Sequence, residues 1–223
     1  MNGFNFQKFI YYICPVMESL EQKLDKEVED YLERVEGTAE ISALLGDGIS
    51  REGYVRLLKT CYVIEYVSRK AVLLASEKTE DNNPYLSQRL RFCSKGEEGH
   101  AEIALRDLKE MGVDRVDMSD IPMADDYDSM LRENAENFPL GILGHSYLFE
   151  NASGIMFPKH NGHDYPSEFI RVHAKEDPGH SIAIKRTVRN IEPGLSDDDI
   201  ENIARFARES GEYLLRIFQG IEG

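Results

Sequence analysis

Four acids and three histidines carry the most distinctive chemistry in this chain. Two of its six histidines follow an acid by three residues, in Glu97-Glu98-Gly99-His100 and in Asp177-Pro178-Gly179-His180. Residues i and i+3 are neighbours on a helix, so each pair can grip one metal ion or two adjacent ones. An isolated acid precedes each pair, Glu65 before the first and Glu150 before the second. A third histidine, His173, stands four residues before Asp177, within about 60° of it on a continuous helix. The order Glu65, Glu97-x-x-His100, Glu150, Asp177-x-x-His180 is the donor pattern of carboxylate-rich dinuclear sites in helical bundles. Four carboxylates bring four negative charges; two divalent cations neutralise them and so offset the cost of burying them. Imidazole and carboxylate donors suit iron. A Glu-x-x-His pair alone is too common to carry weight. The signal is the joint occurrence of both pairs, each with an acid before it.

The elements that must position these donors read as helices. The sequence predicts helices over about Met17–Val35, Arg51–Ser76, Pro84–Met111, Ala124–Asn137, Leu140–Phe157, Pro166–Asn190 and Ser196–Gln219. Ser50 and Ser196 are N-cap residues, Pro84 and Pro166 open helices, and Gly112 closes one. Gly46-Asp47-Gly48 and Asn161-Gly162 are turn signals. No segment alternates apolar and polar residues for long, so an all-α fold with almost no sheet is expected. Three predicted helices carry an acid inside a mostly apolar stripe. Tyr54, Leu58, Cys61, Val72 and Ser76 lie within about 40° of Glu65. Leu86, Leu90, Cys93, Ala101, Ala104 and Leu108 flank Glu97 on a continuous helix, and Leu143, Ser146, Gly154 and Phe157 flank Glu150. A buried unpaired carboxylate costs several kcal/mol, so such acids imply partners. Arg69, one turn beyond Glu65, is one such partner on a purely structural reading. Pro178 predicts a kink or break at Asp177. Glu98, Glu102 and Glu176 are expected to face solvent. His145 lies about 140° from Glu150 and faces elsewhere, and His160 and His163 sit in a turn-rich loop.

Composition narrows the class. Asp and Glu number 41 against 26 Lys and Arg, a formal charge of −15. That argues against a nucleic-acid or anionic-membrane partner, both of which need a cationic surface. Three cysteines, Cys14, Cys61 and Cys93, form no CxxC and read as free thiols in a reducing cytoplasm. The apolar run Phe9–Val16 contains Pro15 and lacks a basic flank and a cleavage site, so no signal peptide is expected. No stretch reaches the roughly 18 apolar residues of a membrane span.

Glu65, Glu97, His100, Glu150, His173, Asp177 and His180 together resemble the three-histidine, four-carboxylate set of the heme-oxygenase-like diiron oxidases. The most specific element is His173-x-x-x-Asp177-x-x-His180. The Glu97-x-x-His100 spacing is closest to an alkene-forming member. In a chlamydial member the acid sits seven residues before the histidine, which here is Cys93, so carrying over Glu97 is a choice between two patterns. The resemblance implies a heme-oxygenase-like bundle of about seven helices in a single domain over residues 1–223. It further implies two irons per chain, the second held loosely, with all seven residues as ligands. Glu97, His100, His173, Asp177 and His180 would stand at the reacting centre, and O2 would be a substrate. The oxidised molecule would be small and aliphatic, fatty-acid-like or amino-acid-like, undergoing C–H abstraction, desaturation, cleavage or N-oxygenation. No reductase segment is visible, so an external electron donor is expected; a homodimer is allowed. A gap near Ser153 and Gly154 could admit a slim substrate, with Tyr62, Arg69, Lys159 and Arg171 as candidate anchors for its carboxylate.

Five other readings are weighed, and two of them fail on the sequence. Heme oxygenases use a histidine in the first helix, whereas the first histidine here is His100. Thiaminase-type relatives use a mid-chain cysteine, whereas the cysteines here stop at Cys93. A metal-free, pyrroloquinoline-quinone-synthase-like enzyme leaves the acids unexplained. A ferritin-like iron-binding protein fits the ligand order almost as well, and an inert helical interaction protein would bind no iron.

Overall fold

The structure, a computed structural model, describes residues 18–45, 48–159 and 165–219. Phe9–Val16 with Cys14, Met17, the Gly46-Asp47 step, Asn161-Gly162, His160 and His163 lie outside them. Among the described residues there are nine α-helices and no strand: α1 (Leu20–Val35), α2 (Ala39–Leu45), α3 (Arg51–Lys78), α4 (Pro84–Gly96), α5 (His100–Glu110), α6 (Ala124–Asn137), α7 (Gly141–Met156), α8 (Glu168–Ile191) and α9 (Asp197–Gln219). None is long and apolar enough to cross a membrane.

Local chemistry sets most of the boundaries. Ser19 and Gln22 form a reciprocal capping box that starts α1. Ser50 Oγ accepts from Gly53 N at 3.1 Å to start α3, and Asn83 Oδ1 accepts from Leu86 N at 3.0 Å to start α4 behind Pro84. Ser196 Oγ accepts from Asp199 N at 3.1 Å, with Asp197, Asp198 and Asp199 in the first turn of α9 complementing the helix dipole. Gly112, at φ +85°, ends α5 in the left-handed conformation that glycine adopts without strain.

Two expectations are corrected. The continuous helix expected over Pro84–Met111 is two helices, broken at Glu97-Glu98-Gly99, with Gly99 at φ +97°. The apolar stripe runs on across the break although the backbone does not. Conversely, α8 is not broken at Asp177: it continues through Pro178. The backbone at that step is backed by α7, where a Cβ on Gly154 would lie 3.3 Å from the Asp177 carbonyl carbon and oxygen. The short helix α2 was not expected from the sequence.

Helix α7 is the hub. It packs against α8, α9 and α1, while α3 packs against α4, α5 and α6. Gly144 permits the α7–α9 crossing, because a Cβ there would run into the Ile203 carbonyl oxygen and stand 3.3 Å from Ala207 Cβ. Tyr147 on α7 donates to Asp25 on α1 at 2.6 Å, and Lys185 on α8 reaches the same carboxylate at 2.8 Å. The facing sides of α3, α7 and α8, with the α4–α5 junction, enclose the acids and histidines.

Candidate metal centre

Glu65 comes from α3, Glu97 from the residue after α4, His100 from the first position of α5, Glu150 from α7, and His173, Asp177 and His180 from one face of α8. Glu65, His100, Glu150, His173 and Asp177 are buried, and Glu97 and His180 are partly so. Glu65 Oε1 lies 3.2 Å from His173 Nε2. Glu97 Oε2 lies 2.5 Å from His100 Nδ1, and its other oxygen lies 3.2 Å from His180 Nδ1. Glu150 Oε2 is 3.3 Å from the same His180 nitrogen. Glu97, not Cys93, is therefore the acid that meets His100.

The donors fall into two sets. One atom each from Glu65, Glu97, His100 and His173 lies within 4.8 Å of the others; so does one atom each from Glu97, Glu150 and His180. Glu97 belongs to both. The break between α4 and α5 makes this possible. It leaves Glu97 at a helix end with its two oxygens facing different histidines, and lets α5 begin at His100. Asp177 falls in neither set: its Oδ1 is 3.7 Å from His180 Nδ1, and its Oδ2 is buried without a hydrogen bond. Glu176, expected to face solvent, is half-exposed, and its Oε2 comes within 3.7 Å of His100 Nε2.

The ring nitrogens test whether a cation fits. His100 Nδ1, His173 Nε2 and His180 Nδ1 are buried and make no hydrogen bond of ordinary geometry, although carboxylate oxygens crowd each of them. Buried polar atoms are rarely left so. Donors that converge without bonding one another are what a bound cation requires. His173 is also pre-oriented. Its Nδ1 lies 2.8 Å from the Phe169 carbonyl, which can only accept, so Nδ1 carries a hydrogen and Nε2 faces the cluster, a donor to a cation once it is deprotonated. The Phe169 and Phe157 rings flank it, with centroids 4.0 and 5.6 Å away.

The neighbours in this cluster shift one another's protonation. Burial works against the Glu97 carboxylate, but His100 and His180 outweigh it and bring its pKa down to about 2. The Glu150 and Glu97 carboxylates beside its Nδ1 raise His180 to about 11. Burial opposes charge on His173, yet Glu65 beside it wins and raises it to about 9. Burial pushes Glu150 up to about 7 and Asp177 up to about 6. Metal ligands must be deprotonated, so a cation entering here displaces protons and binds more tightly as pH rises.

The other candidates lie elsewhere. Arg69 pairs with Glu98 at 3.0 Å and Ser94 O at 3.2 Å rather than with Glu65. Lys159 pairs with Glu36 at 2.8 Å, Arg171 with Glu168, and Tyr62 stacks on Tyr66. Gly154 is closed off by the Asp177-Pro178 backbone, so no gap opens there; Ser153 instead lines an apolar cavity beside Glu65. His145 stands outside both donor sets, with its Nε2 3.1 Å from Ser68 Oγ, which is 3.2 Å from Tyr127 OH. Cys61 is a buried thiol and Cys93 a half-buried one.

Two predictions arise here. Burial lowers the His145 pKa to about 4 from its ordinary 6.5, so between those values the unfolded chain binds a proton that the folded chain does not. Stability is therefore full above 6.5 and declines as pH falls towards 4, by roughly 3 kcal/mol. Denaturant titrations across that range should show this slope, and His145→Phe should flatten it. Gly99→Ala meets no side chain, as nothing lies within 4 Å of the added Cβ, but it strains a φ of +97°. It should cost about 1 kcal/mol and weaken metal binding by re-aiming Glu97 against His100. Paired denaturation and equilibrium dialysis would register both changes.

No protein-family model matches this chain, and a search of curated proteins finds no match. Solved structures do. A TenA homologue from Pyrococcus furiosus superposes with a TM-score of 0.74 at 16% identity, over 91% of this chain and 99% of that one. A domain of unknown function with a heme oxygenase-like fold, from Shewanella denitrificans, gives 0.69 at 18% identity, over 94% and 93%. Heme oxygenase-1 from the cyanobacterium Synechocystis, in complex with heme, gives 0.64 at 15% identity, over 92% and 93%. The fold is thus the all-α heme-oxygenase-like bundle, which TenA homologues share.

Proposed function

We propose that this chain is a non-heme dinuclear iron oxidoreductase that uses O2 to oxidise a small organic substrate. The observation that carries this reading is the pair of donor sets joined by Glu97. Glu65, Glu97, His100 and His173 would hold one iron, and Glu97, Glu150 and His180 the other, with Asp177 in reserve beside His180. The chemistry that a bound iron pair supplies is reduction of O2 coupled to oxidation of a nearby C–H or N–H group. The chain's own share is positioning and exclusion. His173 is held by the Phe169 carbonyl, and Phe157 and Phe169 keep water from its ring. His180 Nδ1 stands 3.2 Å from Glu97 and 3.3 Å from Glu150, so it would give up any proton it carries on taking a cation. Electrons would come from an external donor.

The likeness to TenA homologues favours a second reading, an enzyme of that fold that works without metal. Anaerobic titration with ferrous iron separates the two. The dinuclear reading predicts two tightly bound irons per chain, followed on O2 addition by a transient visible absorption and single-turnover O2 uptake. It also predicts that His173→Ala weakens iron binding far more than His145→Ala. Failure to bind iron would leave the metal-free reading standing. Accumulation of many irons per chain would instead indicate storage of the ferritin kind.

A further inference from the structure

Beside Glu65 lies a cavity of about 30 Å³. Its wall is built from five helices and is almost entirely apolar, with Ile64, Phe149, Met156, Phe157, Phe169 and Phe218 the main surfaces. Tyr31, Cys61, Glu65 and Ser153 are the residues with polar or ionisable groups that reach it. Ser153 Oγ donates to the Phe149 carbonyl at 2.8 Å, and Glu65 faces His173. Burial raises the Cys61 thiol and keeps it neutral. Among the described residues no lysine or arginine lines it.

Size and polarity together select the occupant. A buried water needs two to four polar partners, whereas an apolar void stays dry and takes apolar guests. A void of roughly 150 Å³ is the scale that admits benzene. At about 30 Å³ this cavity has room for a diatomic molecule, not for an organic ring or a chain of several methylenes. The absence of any cation also excludes a carboxylate head group.

We propose that this cavity is a holding chamber for dioxygen, with Glu65, a member of the first donor set, in its wall. The assignment of O2 rests on the dinuclear reading above; the existence of an apolar gas site does not. The chamber raises the local concentration of a sparingly soluble gas beside the centre, and the surrounding phenylalanines keep water out.

Xenon, a spherical apolar probe, separates the two claims. Metal-free protein crystals pressurised with xenon should show one xenon atom among Ile64, Ala152, Met156 and Phe169, and xenon-dependent methyl shifts in solution should map to Ile64, Ala152 and Met156. Ala152→Leu, which fills the chamber, should abolish that site, and the milder Cys61→Val should diminish it if the leucine variant folds poorly. In iron-loaded protein Ala152→Leu should raise the KM for O2 about tenfold, with iron stoichiometry unchanged. Ordered water in the chamber, no xenon there, or tight binding of hexane in place of xenon would overturn the proposal. Xenon binding in a protein that takes up no iron would keep the gas site and sink the dinuclear reading. Iron uptake without xenon binding would do the reverse.

Discussion

Glu97→Ala is expected to strip the protein of both tightly bound ferrous ions, while Glu98→Ala leaves them in place. Glu97 is the one acid that faces both His100 and His180 and belongs to both donor sets. Loss of an outer-shell partner typically costs a metal site 10–100-fold in affinity; loss of a shared ligand should cost about 100-fold or more at each subsite. Glu98 sits next in sequence but points outward to Arg69. The metal-free variant should also be less stable at neutral pH. The Glu97 carboxylate has its pKa lowered to about 2 from 4.5, so its contribution is present above 4.5 and lost as pH falls through 2. Equilibrium dialysis at fixed pH against ferrous iron, with the Glu98 variant as control, checks the metal effect. Equal losses in both variants would mean that the shared-ligand geometry is wrong.

Gly144→Ala should be the most damaging single-methyl change in the fold. The added Cβ is directed at the Ile203 carbonyl of α9, a backbone atom that cannot rotate away, and also crowds Ala207. Overpacking of this kind costs up to about 3 kcal/mol. For a chain of this length that corresponds to a fall in Tm of roughly 6–12 °C. Gly179→Ala, where nothing lies within 4 Å of the new methyl, should change Tm little. Differential scanning calorimetry of the two variants makes the comparison. Because α7 carries Glu150 and packs on α8, which carries His173, Asp177 and His180, separation of α7 from α9 should also loosen the metal site.

Much of this was legible in the residues, and the exceptions have physical causes. Helix starts with a strong local signal fall within a residue or two of the expected position: α3 behind Ser50, α4 behind Pro84, α9 behind Ser196. The seven-residue α2 carries no such signal, and its buried Ile41 and Leu44 make too short a stripe to show a period. The break before His100 was hidden because the apolar stripe from Leu86 to Leu108 continues across it. Gly96 and Gly99, bracketing two acids, were the local sign of it. At Pro178 the opposite happened: proline reads as a breaker, yet packing against Gly154 accompanies an unbroken helix. The spacing of acids and histidines pointed to the residues that converge here, since donor types and helical offsets survive in one dimension. How they divide into two sets does not. That partition depends on where α4 ends relative to α8, as does the approach of Glu176 to His100 and the separation of Asp177 from both sets. The chamber beside Glu65 draws its wall from helices far apart in sequence, so no local pattern announces it.

Crystals of the protein loaded anaerobically with ferrous iron, measured at the iron absorption edge, test the central claim most directly. Two anomalous peaks should appear, one among Glu65, Glu97, His100 and His173 and the other among Glu97, Glu150 and His180, with Glu97 touching both. A map with no iron at these side chains, or with iron only on surface carboxylates, would contradict it.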